Sequence, residues 1–414
     1  MSSAAPPDTA APNAAPSNAA VRDGGVAGGF EGPLPAARTH YPALDGLRGL
    51  AILLVMVSHY VAPPAGGGRW GLVFRRAADA GWVGVDLFFA LSGFLITGIL
   101  LDAKGKPGFF RNFFARRTLR VFPLYYGVLF VVCVLLPALG LLKLGVPLSQ
   151  RWLWLYATNL FPLLRSADGA GFFFPNSWDL QFGHFWSLAV EEHFYLAWPL
   201  VVYALGRRPL MVTCAALMVA ALGLRVWFAR AGYSTDVLYQ TTFLRMDALA
   251  AGGLAAAALR GPGGARAVIR AALVGLAVGG AGVLAVGVAA QGLGRYDRLV
   301  QTLGYSALAV LFASCVLAAA ARPGAWVVRR LLSAGWLRVL GTYSYGLYVF
   351  HLLLLVPLAR VVPPPNVPPA LTWQFVGGTL AHAAFCGGAS LAVAVVSYHL
   401  YERQFLRLKR FFGG

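Results

Sequence analysis

Apolar runs of about 20 residues recur along the chain from residue 43 onward, each ended by a short stretch rich in Arg, Gly or Pro. A helix of that length spans the hydrocarbon core of a bilayer, about 30 Å at about 1.5 Å per residue. The pattern predicts about ten membrane spans, near 43–62, 82–101, 121–142, 185–205, 210–229, 243–259, 267–290, 299–320, 338–358 and 374–400. A further apolar piece, 152–164, is too short to cross and reads as a re-entrant or interfacial segment. The expected fold class is therefore all-α, a polytopic transmembrane helix bundle. Residues 1–40 are rich in Ala, Pro, Gly and Ser and lack the apolar core of a leader, so they read as a disordered cytoplasmic tail. The transmembrane domain is expected over 41–405, followed by a short basic cytoplasmic tail at 406–414.

Composition sharpens the membrane reading. The chain is 58% hydrophobic and 12% charged, with mean hydropathy +0.67. A soluble domain carries about 25% charged residues. The net charge of +19 is explained by basic loops, with no need for a nucleic-acid partner. With the N-terminus inside, one face collects Lys104, Lys106, Arg111, Arg116, Arg117 and Arg120, then Arg207 and Arg208, then Arg260, Arg266 and Arg270. Arg322, Arg329, Arg330 and Arg338 follow, and the C-terminal end adds Arg403, Arg407, Lys409 and Arg410. The positive-inside rule then places both termini in the cytoplasm and the protein in the inner (plasma) membrane, provided 152–164 does not cross. Cys133, Cys214, Cys315 and Cys386 lie singly in apolar runs, a pattern of packing residues. No metal site is expected.

Ionisable residues inside spans are expensive and point to function. The first span holds Arg48 near its start and His59 eleven positions later. Three helical turns place both on one face, about 16 Å apart along the axis. Alone, Arg48 is equally a residue snorkelling to the phosphates and His59 equally a packing hydrogen bond. A histidine also takes a proton from a hydroxyl near neutral pH. The segment HFWSLAVEEHFYLAWP, 184–199, carries Glu191 about six residues into its helix, at the depth expected for His59. A carboxylate there would orient the imidazole, or alternatively form an interhelical ion pair. Asp86 lies early in GWVGVDLFFALSGFLI, where it caps its helix or pairs with Arg245. Arg245 and Asp247, in FLRMDALAAGG, also read as an ion pair with each other.

In FFARRTLRVFPLYY, Arg117 and Arg120 share a helical face, with Arg116 beside them. Arginine pairs bind phosphate bidentately, and a phosphorylated cosubstrate such as coenzyme A fits; a positive-inside anchor fits the spacing as well. Tyr345, Tyr348 and His351 lie in one span, in GTYSYGLYVFHLL, with His351 near its middle, where a core hydrogen bond is the plain alternative to a functional role. No nucleophile elbow, Walker A loop or zinc-protease motif accompanies them.

In that order, LDGLRGLAILLVMVSH, GVDLFFALSGFLITGIL, FFARRTLRVFPLYY, FWSLAVEEHFYLAWPL, LRMDALAAGGLAA and SYGLYVFH resemble the acyltransferase-3 family of membrane O-acyltransferases over about residues 40–405. The resemblance implies an arginine–ten residues–histidine motif on Arg48 and His59, and an R-x-x-R motif that engages acyl-CoA on Arg117 and Arg120. It matches the family's glutamate to Glu191, the aromatic after it to Tyr195, and later elements to Arg245, Asp247 and His351. Many relatives carry an added C-terminal esterase-like domain that is not found in this sequence; the acceptor is then acylated directly or through a separate periplasmic transferase. The expected activity is transfer of an acyl group, chiefly acetyl, from cytosolic acyl-CoA to a hydroxyl of an envelope carbohydrate or glycosylated acceptor. His59 serves as base or acyl carrier, and no permanently bound cofactor is implied. A proton-coupled small-molecule transporter is the alternative that a bundle with buried charges also suits.

Overall fold

A computed structural model describes residues 41–61, 68–144, 150–164, 176–322, 324–366 and 372–413. The tail expected at 1–40 lies outside the described residues. The helices used below are α1 (Pro42–Tyr60), α2 (Gly84–Ala103), α3 (Phe109–Phe130), α4 (Phe185–Ala204), α5 (Arg207–Arg230), α6 (Met246–Leu259), α7 (Gly264–Ala289), α8 (Tyr305–Ala321), α9 (Gly335–Thr342), α10 (Ser344–Leu353), α11 (Leu355–Val361) and α12 (Trp373–Ser397).

All ten expected spans are helical, but fewer meet the length and apolarity of a crossing. Among the described residues seven helices do so: Pro42–Tyr60, Gly71–Ala103, Phe109–Ala138, Arg207–Arg230, Gly264–Ala289, Val300–Ala321 and Trp373–Phe412. The count becomes eight if α10 and α11, bent by 65°, form one broken span. The two other expected spans are α4 and α6. Helix α4 is 20 residues long but carries Glu191, Glu192 and His193 in its middle. Helix α6 has only 14 residues and is buried from Asp247 to Gly253 without a break. A helix wrapped by other helices needs neither full span length nor a lipid-facing surface.

Two close crossings set the centre of the bundle. A Cβ on Gly93 of α2 would lie 1.9 Å from the Leu249 carbonyl oxygen of α6, and one on Gly252 of α6 would lie 2.1 Å from that of Ala90. Glycines facing each other in this way let two backbones touch, the usual device where lipid supplies no hydrophobic drive. Gly49 of α1 and Gly341 of α9 make a second such contact, with Cβ positions 2.0 Å from the Leu337 and 1.9 Å from the Asp45 carbonyl oxygens.

Buried ion pairs lock the same core. Arg245, at the start of α6, donates to Asp86 of α2 at 2.8 Å, and both are 1% exposed. Arg225 of α5 donates to Asp247 at 2.6 Å and to the Leu244 carbonyl and Ser306 at 2.6 Å each. The sequence reading paired Arg245 with Asp86 or with Asp247. The first pairing forms; Asp247 instead takes Arg225, which reaches it from a neighbouring helix. At the opposite end of the same helices Arg260 clasps Asp102 with two bonds of 2.7 and 2.6 Å.

The piece expected at 152–164 does not form a crossing helix. Gln150–Trp154 is followed by Tyr156 at φ 52° and then by Thr158–Leu160 and Phe161–Leu164. Its backbone is held from α3, where Tyr125 donates to the Leu153 carbonyl at 2.8 Å and Tyr126 to that of Trp154 at 3.2 Å. At the C-terminus the expected basic tail at 406–414 is helical through Phe412, continuing α12 through a π-helical turn at Tyr398–Glu402.

Candidate active site

Five helices, α1 to α4 and α10, meet around a cavity of about 100 Å³. Arg48 reaches it from α1, Phe88, Phe89 and Ser92 from α2, Arg117 and Arg120 from α3, Ser187 and Glu191 from α4, and Tyr345 and Tyr348 from α10. The cavity therefore unites Arg48, the R-x-x-R pair and Glu191, residues up to 143 positions apart in sequence. Arg116 is exposed and is not among the lining residues, because one helical step turns it about 100° away from Arg117.

Glu191 is the hub of the polar lining. Ser92 donates to its Oε1 at 2.6 Å and Tyr195, one turn on, donates to its Oε2 at 3.0 Å. Arg117 lies between the two adjacent carboxylates, 3.6 Å from Glu191 and 3.6 Å from Glu192, and its guanidinium stacks 3.7 Å over the Tyr195 ring. Arg117 is thus largely neutralised by protein groups. Arg48 meets Asp45 of its own first turn at 3.3 Å. Arg48 and Arg120 thus present the cationic side of the lining, and a guanidinium in a low-dielectric cleft attracts an anion. Tyr345 fixes α10 to α3 by donating to the Val121 carbonyl at 2.7 Å.

At the other end of the cavity the Tyr348 hydroxyl is shared between Ser187 and the His184 carbonyl. Beyond it lies a group of three histidines. Nδ1 of His59 is 3.3 Å from Nε2 of His351, and the His184 ring centroid is 5.0 Å from that of His351. His351 is fully buried, whereas His59, in the last turn of α1, is half-buried.

The expected pairing of His59 with Glu191 does not form. Glu191 lies seven residues past His184, about 10 Å further along α4, whereas His59 stands level with His184 through His351. Counting residues from the ends of two separate spans placed both in one half of the bilayer; it could not resolve two helical turns. Asp86, Arg245 and Asp247 lie together in the adjoining ion-pair core, outside the cavity lining.

Several participants carry no strong sequence signal. Ser92 sits in ALSGF, and a serine in a span is ordinary. His184 stands next to the glutamate motif, where its partner cannot be read. Arg225 was detectable, as a single arginine within the apolar run LGLRVWF. Among the described residues no group of three His, Cys, Asp or Glu side chains is arranged to hold a metal ion.

No solved structure matches the chain significantly. The O-acetyltransferase OatA of Staphylococcus aureus is 27% identical over 338 residues, covering 75% of this chain and 50% of that protein. The peptidoglycan O-acetyltransferase OatA of Listeria monocytogenes is 26% identical over 360 residues, covering 79% of this chain and 52% of that protein. The chain therefore spans about half the length of either relative. The profile described as an acyltransferase domain matches residues 41–399, nearly the whole described chain, and the protein belongs to that acyltransferase-3 family.

Proposed function

We propose that this protein is an integral membrane O-acyltransferase that takes an acyl group, acetyl in the first instance, from cytosolic acyl-CoA and delivers it to a hydroxyl of an envelope carbohydrate. The observation that carries the reading is the cavity itself, which gathers Arg48, Arg117, Arg120 and Glu191 from three helices and is also lined by Tyr348, one turn from His351 of the His59–His351 pair. The names of the relatives, an O-acetyltransferase and a peptidoglycan O-acetyltransferase, support the carbohydrate acceptor.

The cationic wall suits the phosphates of coenzyme A, with Arg48 and Arg120 less encumbered by carboxylates than Arg117. The loop charges support an orientation with Arg111 and Lys104 in the cytoplasm, where acyl-CoA is made, both termini inside, and the plasma membrane as the site. In the transfer step the acceptor oxygen forms a bond to the acyl carbon, the carbon–sulfur bond breaks, and the hydroxyl proton passes by way of His59 to the departing thiolate.

The test is turnover of radiolabelled acetyl-CoA by the purified full chain in nanodiscs, alongside a His59→Ala variant. Label appearing in a glycan acceptor, lost in the variant, supports the reading. Full transfer by His59→Ala would remove His59 from the chemistry. Solute uptake by proteoliposomes with no cleavage of acetyl-CoA would favour a carrier instead.

A further inference from the structure

His351 makes contacts that fix its proton. Its Nδ1 lies 2.8 Å from the Tyr348 carbonyl oxygen and 3.2 Å from that of Leu347. Carbonyl oxygens only accept, so Nδ1 carries the hydrogen. The ring is wholly buried, and no carboxylate is among the partners of its ring nitrogens. A second proton would put an unpaired charge in the core, so the ring is neutral and Nε2 holds a lone pair.

That lone pair faces Nδ1 of His59 at 3.3 Å. Two lone pairs do not bond, so Nδ1 of His59 is the donor. A neutral imidazole has one N–H, and in His59 it is spent on this side. Its Nε2 is left bare.

We infer that His351 is a positioning residue that holds His59 as the Nδ1–H tautomer, so that Nε2 is presented as the proton acceptor. The inference rests on the reading of His59 as base. Here an imidazole performs the orienting task that a carboxylate performs in many other acid–base pairs. A neutral partner has one consequence: when His59 takes the acceptor's proton at Nε2, the new positive charge is not paid off by an adjacent anion. The imidazolium therefore passes its proton on readily to the departing thiolate.

The rest of the geometry keeps His351 in place. Tyr60, next to His59 on α1, donates to the His351 carbonyl at 2.9 Å and shares a 2.9 Å bond with Ser390 of α12. His184, at the N-cap of α4, packs edge-on at 5.0 Å while its Nε2 faces the Val349 carbonyl at 3.2 Å, and its Nδ1 is buried with no hydrogen-bond partner among the described residues. The charged group that acts on His59 from the loop between α7 and α8 is Arg295. His351 is thus held in place from α1, α4 and α12.

Two measurements on the full chain in nanodiscs test this. The first is nitrogen NMR of protein labelled with ¹⁵N-histidine, with His59 assigned by its loss in His59→Asn. The expected spectrum has His59 protonated at Nδ1 and bare at Nε2, changing towards the Nε2–H form in His351→Phe. A wild-type His59 protonated at Nε2, or a tautomer unmoved by His351→Phe, would overturn the inference without any reference to turnover. The second is acetyl transfer from radiolabelled acetyl-CoA to a peptidoglycan-derived disaccharide. His351→Phe should lower kcat about 10- to 100-fold with KM for acetyl-CoA unchanged. His351→Gln, whose side-chain oxygen stands in for Nε2 as acceptor, should recover most of that loss. Equal losses in the two variants, or a full rate in His351→Phe, would sink the positioning role. If His59→Ala is dead while His351→Phe is fully active, only the positioning role fails; if His59→Ala is active, the reading beneath it fails.

Discussion

Ser92 of α2 donates a 2.6 Å hydrogen bond to Glu191 of α4, and this contact ties the two helices at the same point where Arg117 of α3 approaches. One carboxylate thereby joins three helices. Glu191→Ala removes the acceptor of Ser92 and Tyr195 and leaves Arg117 with Glu192 alone. The side chains are partly exposed to the cavity, so the loss should be about 1–3 kcal/mol, read as a lowered melting temperature in detergent. Glu191→Gln keeps an acceptor oxygen and should fall between wild type and Ala. A Gln variant as unstable as Ala would show that charge, not hydrogen bonding, sets the contribution.

The two arginines of the R-x-x-R pair should behave differently. Arg117 is enclosed by Glu191, Glu192 and the Tyr195 ring, whereas Arg120 lines the cavity with no carboxylate in ion-pair contact among the described residues, Glu402 acting on it only at longer range. Arg120→Gln should raise KM for acyl-CoA about 10-fold or more, the worth of a charge-assisted hydrogen bond of about 1.5–3 kcal/mol, with little change in melting temperature. Arg117→Gln should lower the melting temperature as well, because it strands two carboxylates. Arg116→Gln should do neither. Identical kinetic and thermal profiles for the two arginines would refute the distinction.

The span pattern, the ion-pairing residues and the arginine–histidine spacing were legible in the sequence, because each is a departure from apolar periodicity. What was not legible was rotation about helix axes. Glu191 and His59 were matched by depth, yet their partners are Arg117 with Ser92 and His351 respectively. The face that a residue presents in a nearly all-apolar helix is not encoded by an amphipathic period, since both faces are apolar. Arg245 and Asp247 illustrate the same point: two positions apart in sequence, they take partners on two different helices. Fewer helices than the ten expected spans have the length and apolarity of a crossing, because buried helices such as α6 need no lipid-length run.

Backbone contact between α2 and α6 makes a sharp steric prediction. A methyl group on Gly252 would stand 2.1 Å from a carbonyl oxygen, far inside van der Waals contact. Gly252→Ala should therefore separate two helices at the centre of the bundle, reduce the monodisperse yield severely, and cost several kcal/mol if it folds at all. Gly377 of α12 has nothing within 4 Å of its Cβ position, and Gly377→Ala should be neutral or stabilising by up to about 1 kcal/mol. Size-exclusion chromatography of both variants is the check, and normal behaviour of Gly252→Ala would contradict the crossing.

Sidedness follows from the same helices. Lys106 is exposed in the turn between α2 and α3, and Asp179 is exposed before α4, at the far ends of their respective helices. In a chain with Cys133, Cys214, Cys315 and Cys386 replaced by Ser or Ala, Lys106→Cys should react with a membrane-impermeant maleimide only after the cells are opened. Asp179→Cys should react in intact spheroplasts. Labelling of both from one side would require a different path for the chain between α3 and α4, and would detach the arginine wall from the cytoplasmic supply of acyl-CoA.

The Asp86–Arg245 pair separates stability from chemistry. Both residues are 1% exposed, and Arg245 also stacks 3.9 Å over the Tyr305 ring. Removing one partner leaves a bare charge in the core, so Asp86→Leu or Arg245→Met alone should cost about 3–5 kcal/mol and lower the melting temperature steeply. The double replacement Asp86→Leu with Arg245→Met leaves no unpaired charge between them and should recover most of the loss, because a buried pair often does little better than an apolar one of equal volume. If the recovered double variant also transfers acetyl groups, the pair is structural. If it folds like wild type but is inactive, the field of Asp86 and Arg245, and not only their packing, acts on the neighbouring cavity.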